Sequence, residues 1–408
     1  MKTLALVSLG CAKNTADLQV RAGEYLKKGW TLSADPDRAD AVIVNTCAFI
    51  ASAREEAEDE IRRALALKAS GRYGRVVVAG CYPQRYPAGA SAFPGVDEWL
   101  GVPQGWNEQK VPGLRLTGRA FAYLKIAEGC SHRCAYCAIP SIRGAYRSRP
   151  ARSVLREARA LVASGCRELN IVAQDPMAWS DGGRRLPDLL KMIDGIPGDF
   201  WVRVLYSYPS EITDGFINWM LESPHAVRYI DVPIQHTVPE VLERMNRKSS
   251  VAATLSAASR LRAAIPGVTL RTTVMTGFPG ETEKRFRRLL SDLAEMEFDR
   301  LGAFSYSPEK GTAGAAMRGR PSAAVARERE RLVMAQQKKI WTKRAAKLVG
   351  ETFRALVVAP GVARLPSQAP DVDGVVFLEG TAAETAVGEF LDIRLSGRRG
   401  FDFTGRAV

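Results

Sequence analysis

The feature that most constrains this chain is a rhythm. Short apolar runs alternate with helical patterns, and the first three runs end in cysteine. Within residues 1–105 the apolar stretches 4–9, 41–44 and 75–79 are separated by an amphipathic segment reaching Leu26 and a charged one reaching Leu67. Such alternation predicts a parallel sheet with crossover helices, because parallel neighbours need a long return path. Each run closes on a thiol, in Leu9-Gly10-Cys11, Val44-Asn45-Thr46-Cys47 and Ala79-Gly80-Cys81. The carboxyl ends of parallel strands share one edge, where ligands bind in open sheets. Three thiols far apart in the chain can therefore meet in space. The competing reading is three small buried hydrophobes.

A Pro- and Gly-containing stretch, 101–118, reads as a linker into a second unit. There the strand 121–127 runs into Cys130, Cys134 and Cys137, and further apolar strands follow at 168–173, 201–206, 229–234, 269–275 and 300–306. Six strand-helix repeats, short of the eight of a closed barrel, predict an open (β/α)6 barrel over 116–345. A long basic helix fills about 323–348. Residues 346–408 change character, with short strands at 353–358, 374–378, 390–395 and 401–405 split by Gly, Pro and Asp, which predicts a small antiparallel β-barrel. The expected class is α/β in three units: 1–105, 116–345 and 346–408.

Seven cysteines in 408 residues are too few for a disulfide scaffold, so their grouping points to metal or redox chemistry in a reducing compartment. The N-terminal residues 4–11 resemble a short secretory signal only superficially, since the apolar stretch is minimal and Ser8-Leu9-Gly10 is a poor processing site. A cytoplasmic protein with no membrane span is expected. Lys plus Arg is 58 against 44 acidic residues, a net charge of +14, which makes an anionic or RNA-rich environment plausible as a setting.

Cys130, Cys134 and Cys137 are spaced so that one loop can wrap three thiolates around a small inorganic group. A structural zinc site normally takes a fourth protein ligand, and the chain has three histidines, His132, His225 and His236. A [4Fe–4S] cube held by three cysteines instead leaves one iron open to a substrate. Zinc and chance remain the alternatives.

The C-x3-C-x2-C spacing, with Tyr136 before the last cysteine and placed just after the first barrel strand, resembles that of the radical S-adenosylmethionine enzymes. The resemblance implies that Cys130, Cys134 and Cys137 are catalytic ligands of a cluster whose open iron chelates S-adenosylmethionine and cleaves it to a hydrogen-abstracting 5′-deoxyadenosyl radical. It narrows to the methylthiotransferases on Ser8-Leu9-Gly10-Cys11-Ala12-Lys13-Asn14, Asn45-Thr46-Cys47, Gly80-Cys81, Ile139-Pro140-Ser141-Ile142-Arg143-Gly144, Arg147-Ser148-Arg149 and Gly277-Phe278-Pro279-Gly280-Glu281-Thr282. The β unit at the C-terminus resembles their TRAM domain. By this likeness Cys11, Cys47 and Cys81 hold a second [4Fe–4S] cluster, which handles the inserted sulfur, and two S-adenosylmethionine molecules are used per turnover.

Two branches of that family modify tRNA adenosine or, in the RimO type, the β-carbon of an aspartate in small-subunit ribosomal protein twelve. Cys11-Ala12-Lys13-Asn14, Gln174-Asp175, Trp201-Val202-Arg203, Pro233-Ile234-Gln235-His236 and 369–374 are similar to the RimO type, although Ala12 and Pro176 stand where proline and threonine are expected. From Glu351 onward eight acidic residues face six arginines, which suits a basic protein better than a phosphate backbone. In that scheme the barrel holds the chemistry, and Asp371 and Asp373 are exposed docking charges on a β unit that only binds the substrate. The ten basic residues among 318–347 could touch ribosomal RNA or merely be solvated. The partners implied are the ribosomal protein, free or in the ribosome, and an electron donor, with the enzyme a monomer. A reading from another class is a non-catalytic iron–sulfur or RNA-binding protein.

The remaining cofactor-binding candidates carry structural alternatives. Arg143 and Arg147 would neutralise cofactor charge, or be surface arginines. Gly277, Phe278, Pro279 and Gly280 follow the fifth barrel strand and would let backbone approach adenine, or form a plain turn. Gln174 and Asp175 would bind the ribose or methionine part, Asp175 otherwise capping a helix. His236 would be a polar wall of the site or a structural histidine. Cys166 reads as core.

Overall fold

The computed structural model describes residues 1–103, 105, 114–247 and 251–408, so most of the expected linker at 101–118 lies outside the described residues. The N-terminal unit is a five-stranded sheet in the order Thr31–Leu32, Thr3–Ser8, Ala39–Thr46, Tyr73–Gly80, Glu98–Leu100, every pair parallel. Its central strand Ala39–Thr46 is buried at every position but one, as a strand covered on both faces must be. Helices Ala12–Leu26 and Ala51–Ala69 cross between the strands. The sequence pattern does not announce the two short edge strands, which carry too few residues for a period.

The six expected barrel strands form two parallel sheets. One runs Phe121–Lys125, Glu168–Val172, Trp201–Val204, and the other Tyr229–Asp231, Thr269–Thr276, Arg300–Ser305. A bridge from Val202 to Ala226 joins them. The described pairings leave the first and sixth strands as edges, so the barrel is open. The helix Ala323–Ala346 packs along the sixth strand. Arg329 on it is buried against Glu281 and Glu283, Lys343 reaches Glu297, and Arg344 reaches Asp299. Several of its cations are thus spent on holding the helix to the barrel. No helix among the described residues is long and apolar enough to cross a membrane.

The C-terminal unit is a closed barrel of five strands, Thr352–Ala359, Val362–Arg364, Val376–Glu379, Asp402–Ala407 and Phe390–Arg399 in spatial order. Two details correct the sequence reading. The three-residue strand Val362–Arg364 was too short to see, and Val376–Glu379 pairs with Asp402–Ala407 in parallel, so the barrel is not wholly antiparallel.

Nor is this unit an appendage. Leu356 and Ala369 share one buried core with Ala16 of the first unit and Tyr123, Trp201 and Tyr229 of the barrel. Buried Glu168 binds both Arg203 and Arg364 across the same seam. The expectation of exposed docking charges holds for Asp371, which is exposed, and is overturned for Asp373. Tyr123 donates its hydroxyl to Asp371, and Tyr229 donates to Asp373, whose side chain is 3% exposed. Barrel tyrosines thus bind both acids, and Arg271 lies 3.8 Å from the buried carboxylate of Asp373.

Candidate active site

Cys11 is the N-cap of the helix Ala12–Leu26, Cys47 follows the strand Ala39–Thr46, and Cys81 follows Tyr73–Gly80. Gly10 has φ +90, and a Cβ there would stand 2.8 Å from the Cβ of Cys47, so only glycine lets these two strand ends close up. Asn14 ties the three exits together. Its amide donates to the carbonyls of Leu9 and Thr46 at 3.1 and 3.0 Å, while its Oδ1 accepts from Arg143 at 2.6 Å and faces the Sγ of Cys81 at 3.5 Å. The barrel triad is held by its own loop. Gly129, with φ +76, lies against the carbonyls of Gly144 and Ala145, the amide of Cys130 donates to Gly144 at 3.2 Å, and Cys137 turns back on the Cys134 carbonyl at 3.0 Å.

Both triads line one cavity of about 420 Å³. All seven cysteines of the chain are free thiols, and Cys166 lies in the barrel core as expected. Among the described residues no three His, Cys, Asp or Glu side chains are gathered closely enough to hold a single metal ion.

A buried quartet joins the two units beneath the cavity. Lys125 contacts Asp17 and donates to Glu128 at 2.7 Å, and Arg143 donates to Asp17 and Glu128 at 2.9 Å each. The second arm of Arg143 reaches Asn14 and, at 3.2 Å, the Sγ of Cys81. Two cations and two carboxylates cancel, which is what makes their burial tolerable. Burial alone would raise the Glu128 carboxyl, but Lys125 and Arg143 outweigh it and hold it at about 2.

The thiols differ. Burial works against ionisation at Cys11, yet Lys13, Arg143 and the amides of Asn14 and Lys13 win and its pKa is lowered. Burial dominates at four others, raising Cys47, pushing Cys81 up to about 12 despite Arg143, and pushing Cys130 and Cys137 to about 11 and 12.

Among the residues named from sequence, the cavity gathers all six cysteines, Arg143 and Gln174. Arg143 is wholly engaged by the quartet, Asn14 and Cys81, so its charge serves the N-terminal triad. Arg147 is exposed. Gln174 donates to Glu128 at 3.0 Å and leaves its buried Oε1 without a partner. Asp175 makes no side-chain cap; its carboxylate lies 2.8 Å from the ring of His132, which is stacked on Tyr208.

The expectation for Gly277, Phe278, Pro279, Gly280 and His236 needs correction, since none of them lines the cavity. A Cβ on Gly277 would meet Ala326 of the long helix at 2.3 Å, and one on Gly280 would meet Arg244. Pro279 accepts from Arg244. Phe278 is buried edge-on to Tyr136. These glycines make room for protein. The stretch continues into Thr282, which caps the helix Glu283–Met296. His236 is fully buried, accepts the amide of Val238 and faces Glu281 at 3.3 Å.

Sequence reasoning passed over Lys13, Tyr206, Ser207, Tyr208, Gln235 and Arg247, all of which line the cavity. Tyr206 and Gln235 are non-glycine residues with φ of 71 and 67, a strain that clusters at functional sites. No sequence signal marks such a backbone. Gln235 could have been found by asking which residue of Pro233-Ile234-Gln235-His236 the strand exit turns inward.

Three segments match known families: residues 3–101 the Uncharacterized protein family UPF0004, 124–293 the Radical SAM superfamily and 349–408 the TRAM domain. The chain is 38% identical to the ribosomal protein uS12 methylthiotransferase RimO of Geobacter sulfurreducens, covering 99% of this chain and 98% of that protein. It is 41% identical to the RimO of Moorella thermoacetica, covering 93% and 94%. Among solved structures it resembles the radical S-adenosylmethionine methyltransferase TsrM from Kitasatospora setae with cobalamin and a [4Fe-4S] cluster bound, at a TM-score of 0.54 and 16% identity over 95% of this chain and 84% of that one. That likeness is one of fold.

Proposed function

The chain belongs to the ribosomal protein uS12 methylthiotransferase RimO family of radical SAM enzymes, and from that premise we propose that it places a methylthio group on the β-carbon of an aspartate in ribosomal protein uS12, using two S-adenosylmethionine molecules per turnover. The observation that carries the finer reading is the single cavity lined by both cysteine triads. Its donor set fits two iron–sulfur clusters: each triad offers three free thiols, and three thiolates leave one iron of a [4Fe–4S] cube open. Cys130, Cys134 and Cys137 would hold the cluster that takes S-adenosylmethionine, and Cys11, Cys47 and Cys81 the second. When bound, these groups would pass on the electron that cleaves the sulfonium and carry the sulfur, taken from a separate donor, that is methylated and inserted.

The chain's own residues do the rest. Arg143 and Asn14 fix Cys81 and present positive charge to the N-terminal triad. Gln174, with Asp175 acting through His132, lies on the barrel side of the cavity, where the polar parts of the cofactor are to be held. Phe49, Ile50, Tyr136 and Tyr208 line the same space and keep water from a radical step. An external electron donor is required, and the exposed cations of the long helix, such as Lys338 and Lys339, are free to meet ribosomal RNA.

The test is anaerobic incubation of the reconstituted, reduced protein with S-adenosylmethionine and uS12. One methylthio group on an aspartate, with one S-adenosylhomocysteine and one 5′-deoxyadenosine per modified chain, is the expected result. Methylthiolated tRNA adenosine with uS12 unchanged would move the chain to the other branch.

A further inference from the structure

Three cations besides His132 line the cavity, and two are held by hydrogen bonds to the protein. Arg143 is bound by Asp17, Glu128, Asn14 and Cys81. Arg247 donates to the Tyr136 hydroxyl and the Pro233 carbonyl and stacks on Tyr208. Lys13 differs. Its Nζ lies 3.3 Å from the centroid of the Tyr206 ring, and among the described residues it meets no carboxylate or other hydrogen-bond acceptor. Asp231, the acid in its neighbourhood, is consumed by Arg271 at 3.1 Å and by the amide of Tyr206. Its field favours the Cys11 thiolate two residues back, but with only an aromatic face in contact the ammonium keeps its hydrogen-bond donors for an anion, and leaving them unmade in a partly desolvated site is costly.

A second observation points the same way. Ser207, next in the chain to Tyr206, is fully buried, lines the cavity and leaves its Oγ without a partner. One ammonium and one hydroxyl suit the two oxygens of a carboxylate. The strained backbone of Tyr206 is what sets the ring under Lys13 while turning Ser207 to the same cavity.

Resting on the function proposed above, we propose that Lys13 and Ser207 receive the side-chain carboxylate of the target aspartate and make the reaction specific for an acidic acceptor. Holding the carboxylate fixes the adjacent β-carbon, the atom to be attacked. Lys13 is on the first helix, two residues after Cys11 and next to Asn14, so the acceptor is held by the unit that carries the sulfur-handling triad. The same chemistry would suit the methionine carboxylate of the cofactor, and the experiment separates the two.

Reconstituted holoenzyme and its Lys13→Met, Lys13→Gln, Lys13→Arg and Ser207→Ala variants are each given uS12 and uS12 with the target aspartate changed to asparagine. Iron content is measured on every preparation, so a variant that loses a cluster is recognised and Lys13→Arg or Ser207→Ala then carries the test. Wild type should favour aspartate over asparagine by tenfold or more. Lys13→Met and Lys13→Gln should bring that ratio to near one, Lys13→Arg should keep part of it, and Ser207→Ala should lower it several-fold. A Lys13→Met enzyme with full iron and an unchanged ratio overturns the inference alone. So does a raised KM for S-adenosylmethionine with the ratio preserved, which would give Lys13 to the cofactor. A wild type that modifies neither protein overturns the function on which the inference rests.

Discussion

The two cysteine triads reach the same cavity by opposite routes. Cys130, Cys134 and Cys137 sit on one loop, and the loop's own backbone shapes them. Cys11, Cys47 and Cys81 come from three strand exits and meet only because a parallel sheet aligns those exits. The first triad needs a short segment to be right, and the second needs a domain. The difference extends to support: the distant triad is held by side chains, with Asn14 cross-linking the exits and Arg143 reaching Cys81 from the other unit.

The largest effects separate the triads outright. Replacing Cys130, Cys134 and Cys137 by alanine should abolish 5′-deoxyadenosine formation and leave about four of about eight irons per reconstituted chain. Replacing Cys11, Cys47 and Cys81 should remove the other half of the iron, leave some cofactor cleavage and stop methylthiolation. Full iron in the second triple variant would break the comparison.

Arg143→Met should injure the dispersed triad more than the local one. It leaves Asp17 and Glu128 buried with Lys125 as the sole cation of the quartet, and breaking a buried pair this way costs about 3–5 kcal/mol. Urea unfolding measures the loss, and iron analysis of the variant should show the N-terminal site depleted first. Equal depletion of both sites would mean that the quartet supports the whole cavity.

The quartet also sets a pH window. Glu128 has its carboxyl depressed from an ordinary 4.5 to about 2, so the unfolded chain takes up the proton first as pH falls. Its stabilisation is complete above about 4.5 and is lost as pH drops towards about 2. Urea midpoints of the apoprotein should fall through this range, and Glu128→Gln should be less stable at neutral pH and flatter in acid. A variant with the wild-type acid slope would place the titration elsewhere.

The smallest effect concerns the seam with the β-barrel. Tyr229→Phe removes a hydrogen bond to the nearly buried Asp373 and should cost about 1–3 kcal/mol in thermal or urea unfolding. Because that acid is engaged internally, Asp373→Lys should destabilise the fold before it alters uS12 binding.

How legible each region was follows from the same contrast. The C-x3-C-x2-C loop can be read from spacing alone, and the strand-end cysteines from spacing plus the geometry of parallel sheets. Gln174 was visible as the residue leaving the second barrel strand. Lys13 and Ser207 were not, because their place depends on helix rotation and on positive φ at Tyr206, which no residue type announces. The glycines at 277 and 280 misled because small residues admit a neighbouring helix as readily as a ligand, and here Ala326 and Arg244 fill the space. Asp373 misled because counting charge says nothing of which acids another unit will bury.

The central claim is that both triads serve one cavity, and electron paramagnetic resonance of the reduced, reconstituted protein tests it most directly. Two paramagnetic clusters facing each other across that space should couple, so the wild-type spectrum should be broadened and relax faster than that of either triple variant. A wild-type spectrum equal to the simple sum of the two triple-variant spectra would contradict the account.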